Sequence, residues 1–248
     1  MNGAMAGIIE LQNVTFSVQN RTLVEDISYR CDAGKILALI GPSGSGKTTV
    51  LKLSSGLLVP DRGEVLYKGK PILDMSRKEN LEFRHEAAVV FQDSALWANQ
   101  DLFQILELPL RIHYPKMSKP EREKRIESVM AEVGYKKELG IRPAQLSIGE
   151  QKLIAYARAV MCRPALLFLD EWTESLDENA TKRLINLVKK HHDEGGTVIL
   201  VSHDLRIINS ISDIIVMIVG GKALKVLTIE EIRADEELRR YVEEGIQA

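Results

Sequence analysis

Cysteine is nearly absent: 248 residues contain two, Cys31 and Cys162, far apart and without the spacing of a metal ligand set. That argues against a disulfide framework or a zinc ribbon and leaves two small side chains expected in an apolar interior, in a reducing compartment. A dominant charge sign is missing too. Lys plus Arg number 33 and Asp plus Glu 35, a net charge of −2. No global basic field draws the chain to nucleic acid, and no nucleic-acid partner is expected. Long hydrophobic runs are absent as well. The most apolar stretches, "KILALIG", "ALLFLDE", "TVILVSHD" and "DIIVMIVGG", fall far short of the ~20 residues that cross a bilayer. If the chain works at a membrane, another polypeptide does the crossing. The opening "MNGAMAG" has no basic start followed by an apolar run, so no signal peptide is expected.

What is present is an ordinary globular composition, 45% hydrophobic and 27% charged, able to bury a core. The short apolar runs are rich in β-branched residues, alternate with helical patterns and end in polar or glycine punctuation, as buried parallel strands of an α/β layer do. The first third differs. "IIELQNVTFSV" and "GEVLYKG" read as shorter antiparallel strands, with turn signals at Asn20, Asp61, Gly63 and Gly69. From Ser94 to Val160 no strand pattern appears, and "SKPEREKRIESVMAEVGY" predicts an amphipathic helix capped by Ser118 with Pro120 in its first turn. The tail "IEEIRADEELRRYVEEGIQA" predicts short charged helices. Solvated faces are expected for "EREKR", for "EELRR", and for His191 and His192 at the end of "TKRLINLVKKHHDEGG".

One segment carries recognisable chemistry. "GPSGSGKTT" (Gly41, Pro42, Ser43, Gly44, Ser45, Gly46, Lys47, Thr48, Thr49) follows the strand "KILALI" and opens a helix that Gly56 is expected to stop. Strand, glycine-rich loop and helix together make an anion cradle, because backbone amides turn inward and the helix dipole adds positive charge. Lys47 would reach the β- and γ-phosphates, and Thr48 would offer its hydroxyl to Mg²⁺. "ALLFLDE" ends a strand in Asp170, a candidate metal carboxylate, and Glu171, a candidate general base worth ~10²–10⁴-fold. Gln92 closes "AAVVFQ" and His203 closes "TVILVSHD". Ligands sit beyond the carboxyl ends of parallel strands, so Gln92 could ligate Mg²⁺ or orient water, and His203 could contact the γ-phosphate. "LSIGEQKLIAYARAV" opens a further helix at Ser147.

These pieces, in this order, resemble the nucleotide-binding subunits of ATP-binding-cassette transporters. The match runs through a Walker A at Gly41–Thr49, a Q-loop at Gln92, a signature at Leu146–Gln151, a Walker B at Leu166–Asp170, Glu171, a D-loop at Glu174–Asp177 and a switch His203. The resemblance implies an α/β P-loop cassette with a parallel-sheet core, an N-terminal antiparallel β subdomain and an inserted helical subdomain. As one domain over 1–248, it would have its RecA-like core and β subdomain in 1–93 and 161–227, the helical block in 94–160 and a helical tail in 228–248. It implies ATP with Mg²⁺, held by the loop residues with Thr48, Gln92 and Asp170 toward the metal, and catalysis by Lys47, Glu171 and His203. It also implies a second copy, because in this family Ser147, Gly149 and Asp177 face the nucleotide of a partner cassette in a head-to-tail dimer. A membrane permease and a place on the cytoplasmic face of the inner membrane follow from the same resemblance. The stretch around Gln92 and "DEELRRYVEEG" are similar to ATPases of Mla-type phospholipid transporters, which work with an MCE-type lipid-binding protein.

The chain departs from the family pattern at three places. Ile148 stands for the first glycine of L-S-G-G, Val18 stands where an aromatic usually stacks on adenine, and Trp172 replaces the proline after Glu171. Phe16 shares Val18's face by strand alternation but lies ~6.5 Å earlier. After the Q-loop, Leu96, Trp97, Leu102, Phe103 and Ile105 are either anchors for a permease helix or core of the helical block, with Trp97 the exposed candidate. A soluble cassette ATPase of iron–sulfur cluster assembly and a nucleotide-sensing subunit with little turnover stay open as alternatives.

Overall fold

The computed structural model describes residues 7–247. The "MNGAMAG" reading therefore lies, but for Gly7, outside the described residues. In chain order come β1 (Ile9–Val18), β2 (Arg21–Cys31), β3 (Ile36–Ile40), α1 (Lys47–Ser54), β4 (Arg62–Tyr67), β5 (Lys70–Pro71), α2 (Arg77–Glu86) and β6 (Ala87–Val90). There follow α3 (Leu102–His113), α4 (Lys119–Glu132), α5 (Ile148–Val160), β7 (Leu166–Asp170), α6 (Glu178–Asp193), β8 (Thr197–Val201), α7 (Leu205–Ile211), β9 (Ile214–Val219), β10 (Lys222–Thr228), α8 (Ile229–Ala234) and α9 (Glu236–Gln247).

Two sheets divide the work. A four-stranded antiparallel sheet has the order β2-β1-β4-β5, and a six-stranded sheet has the order β10-β9-β3-β8-β7-β6. The second is parallel except for its edge strand β10, which pairs antiparallel with β9. Its central strands β3, β7 and β8 are buried at every position, which is why they read as unbroken apolar runs rather than alternations. Because these strands run parallel, their carboxyl ends emerge on one rim, where β3 feeds the loop at Gly41, β7 ends in Asp170, and β6 and β8 lead to Gln92 and His203.

One face of the six-stranded sheet shares a continuous apolar core with α3, α4 and α5 through Ala38, Ile40, Leu102, Ile105, Ile126, Ile154 and Leu169. The opposite face packs on α1 and the four-stranded sheet through Leu37, Leu39, Val50, Phe168 and Ile199. Cys31 and Cys162 are buried free thiols, and burial pushes the Cys31 thiol up to about 12. Among the described residues no helix is long and apolar enough to cross a membrane.

Helix ends follow their local chemistry. The Glu121 carboxylate accepts from the Ser118 amide and hydroxyl at 2.7 and 2.6 Å, a reciprocal cap that starts α4. α1 stops where Gly56 takes φ 64.

Tertiary packing revises three expectations. "EREKR" is a solvated face only in part: Glu121 and Lys124 are exposed, but Arg122 pairs with Glu107 at 2.8 Å, and Arg125 donates to the carbonyls of Met161 and Val160 at 2.9 and 3.2 Å. His191 and His192 are half-buried, with the His192 ring 3.1 Å from the Gly34 carbonyl. They lie where the end of α6 turns back toward β8, and that packing takes part of each ring out of water. The alternation linking Phe16 to Val18 is interrupted by a register shift between Phe16 and Ser17. Phe16 packs on the core while Val18 is exposed.

Candidate active site at the strand ends

The glycine-rich loop needs glycine for steric reasons. Gly41 takes φ 142, and a Cβ there would run into the Ile218 carbonyl. Gly46, at φ 101, caps α1 with the Leu23 carbonyl 2.9 Å from where its Cβ would be. Lys47 then begins α1, and its ammonium donates to the carbonyls of Gly41 and Pro42, each at 2.8 Å. Burial pulls the Lys47 pKa down, opposed by Glu171 and Asp170.

A cleft of about 580 Å³ opens over this loop, lined by Gly41, Ser43, Gly44, Gly46, Lys47, Thr48, Thr49, Gln92, Glu171, Glu174 and His203, with Leu23 from β2. Thr48 Oγ1 donates to Asp170 Oδ1 at 2.8 Å. His203 Nδ1 lies 3.0 Å from Glu171 Oε2. Burial raises both carboxyls above their ordinary values, against the Thr48 hydrogen bond for Asp170 and the His203 contact for Glu171. Gln92 Nε2 donates to Glu174 Oε2 at 2.6 Å, which leaves its carbonyl oxygen uncommitted to that bond. A hydroxyl, a carboxylate and an amide oxygen form a hard donor set suited to Mg²⁺ when phosphate oxygens and water complete the shell. Among the described residues no cluster of three His, Cys, Asp or Glu could hold a metal unaided.

Ser147, Gly149 and Asp177 do not join this cleft. They line a separate concavity of about 350 Å³ with Ile148, Leu176 and Ala180. Ser147 caps α5 and exchanges hydrogen bonds with Glu150. Asp177 caps α6 by accepting from the Ala180 amide at 2.9 Å. Ile148 is 57% exposed at the helix entrance.

Sequence reasoning misses Lys152. It is buried, and its ammonium donates to the carbonyls of Gln92 and Glu171, each at 3.0 Å. A lysine on a polar turn of a helix reads as solvated; only tertiary packing encloses it. Trp172 is fully buried, and among the described residues its Nε1 has no hydrogen-bond partner. An unmade buried bond of that kind costs ~1–3 kcal/mol. Of the apolar residues after the Q-loop, Leu102 and Ile105 belong to the core, Leu96 and Phe103 pack against it, and Trp97 is exposed, with the Arg158 guanidinium 5.4 Å from its ring centre.

The two sheets, the glycine-rich loop and the rim of polar strand ends define the chain as an ATP-binding, ATP-hydrolysing cassette. Its structure matches a dimeric cassette, MJ0796, in a post-hydrolysis state bound to ADP and Pi, with TM-score 0.82 and 28% identity over 89% of this chain and 98% of that one. The ABC transporter family model matches residues 24–174, and the chain belongs to that family. It is 32% identical over 94% of its length to the intermembrane phospholipid transport ATP-binding protein MlaF of Haemophilus influenzae, covering 88% of that protein. It is 31% identical to the methionine import ATP-binding protein MetN of Corynebacterium diphtheriae, covering 94% of this chain and 68% of that protein. To the ABC transporter ATP-binding protein YejF of Escherichia coli it is 35% identical over 84% of its length, and spans 40% of that protein.

Proposed function

We propose that the chain is the motor of a membrane transporter, hydrolysing ATP at the seam of a head-to-tail dimer beside a separate permease. One observation carries this reading: Lys47, Glu171 and His203 share one cleft, while Ser147, Gly149 and Asp177 face another. A single chain then presents two half-sites, and a second copy would complete both. In the proposed reaction Lys47 exchanges its two carbonyl contacts for the β- and γ-phosphates. The loop amides and the α1 dipole hold negative charge. Glu171 orients and polarises the attacking water, and His203 fixes the carboxylate and reaches the γ-phosphate. Thr48, Asp170 and Gln92 would hold Mg²⁺, which when bound neutralises developing phosphate charge.

The groove beside Trp97, with Leu57, Ala88, Phe91, Leu108 and Ile112, suits an apolar helix from a permease. On this reading the chain sits at the cytoplasmic face of the inner membrane. Phospholipid is the proposed cargo, supported by the similarity to MlaF, and an MCE-type protein is the corresponding partner. The test is hydrolysis measured against chain concentration. The rate per chain should rise with dimerisation, and a dilute monomer that turns over ATP equally fast would overturn the motor reading. ATP-dependent transfer of a labelled phospholipid by the chain with its permease tests the cargo; its absence, with hydrolysis intact, removes only that assignment.

A further inference from the structure

Lys152 stands at a junction no motif assigns. It lies on α5, whose first residues meet the concavity holding Ser147, and its buried ammonium donates to the Gln92 and Glu171 carbonyls at 3.0 Å each. The Glu171 carbonyl also accepts from the Glu174 amide at 3.0 Å, and the Glu171 amide donates to the Val201 carbonyl at 3.1 Å. Glu171 needs such fixing because its φ is 42, in the left-handed region, where a non-glycine residue persists only if its surroundings hold it. Glu174 in turn accepts from the Gln92 side chain at 2.6 Å. One ammonium therefore fastens the Q-loop backbone and the backbone of the proposed base to the same rigid helix. Arg158, farther along α5, grips the Ser94 and Ala95 carbonyls at 3.1 and 2.6 Å.

We propose that Lys152 is a positioning residue that, granted the dimeric ATPase reading above, couples the partner-facing end of α5 to Glu171 and Gln92 of its own chain. A shift of α5 on dimer closure would move both carbonyls together, so that engagement of one nucleotide sets the base at the other.

The test compares Lys152→Met, Lys152→Gln and Lys152→Arg in the full-length dimer, following kcat, KM, fluorescent-nucleotide affinity and the Hill coefficient for ATP. Lys152→Met and Lys152→Gln should lower kcat about 20-fold with nucleotide affinity held within about twofold. The Hill coefficient should fall from above one toward one, and Lys152→Arg should recover both. Unchanged kcat, a fall in kcat with cooperativity intact, or loss of folding by both Lys152→Met and Lys152→Gln would overturn the coupling role. A wild-type dimer without ATP hydrolysis would sink the underlying reading; hydrolysis insensitive to Lys152 would sink this inference alone.

Discussion

The cleft around Lys47 and the concavity around Ser147 both sit at a helix N-terminus, yet they differ in completeness. In the first, polar groups already meet one another: Lys47 with two carbonyls, Thr48 with Asp170, and His203 with Glu171. In the second, Ser147 is satisfied by Glu150 of its own helix, and Ile148 projects into solvent. On the dimeric reading proposed above, the chain prepares its own phosphate site by internal bonding, whereas the surface offered to a second copy stays capped until that copy arrives.

The largest effect expected is on the first region. Glu171→Gln should reduce turnover ~10²-fold or more while ATP binding persists; equal turnover would remove Glu171 as the base. Ile148→Gly probes the second region. It should lower the chain concentration for half-maximal hydrolysis ~3–10-fold by clearing the proposed interface, at a helix cost of ~0.5–1 kcal/mol. A rise in that concentration would place Ile148 among attractive contacts. Adding an aromatic, Val18→Tyr, should tighten ATP binding ~2–10-fold through stacking worth ~0.5–1.5 kcal/mol; unchanged affinity in a nucleotide titration would place residue 18 away from the base. Smallest is a pH shift. Burial raises the Glu171 pKa and the His203 contact lowers it. As the proposed base Glu171 would act ionised, so its protonation would set the acid limb of the rate profile; His203→Ala should move the residual limb to higher pH. An unmoved limb would detach His203 from the base.

Legibility in the sequence follows the same division. The strands β3, β7, β8 and β9 are plain as apolar runs, and the loop at Gly41 is plain because strand, glycines and helix occur in one order. β2 and β10 do not read as strands, since exposed and charged residues interrupt their alternation. α2 is hidden too: among its residues only Phe83 is buried, too little apolar periodicity for a helix to announce itself. Lys152, Trp172, Arg125 and His191 escape a sequence reading because their burial depends on distant segments rather than on neighbours along the chain.

Glu171 stands in a left-handed backbone conformation, and this narrows its replacements. Asparagine and aspartate tolerate that geometry best among non-glycine residues, but both are one methylene shorter; β-branched residues fit it worst. Mutational drift at this position therefore meets two independent filters, one on reach and one on chain geometry, so few single exchanges there would be silent.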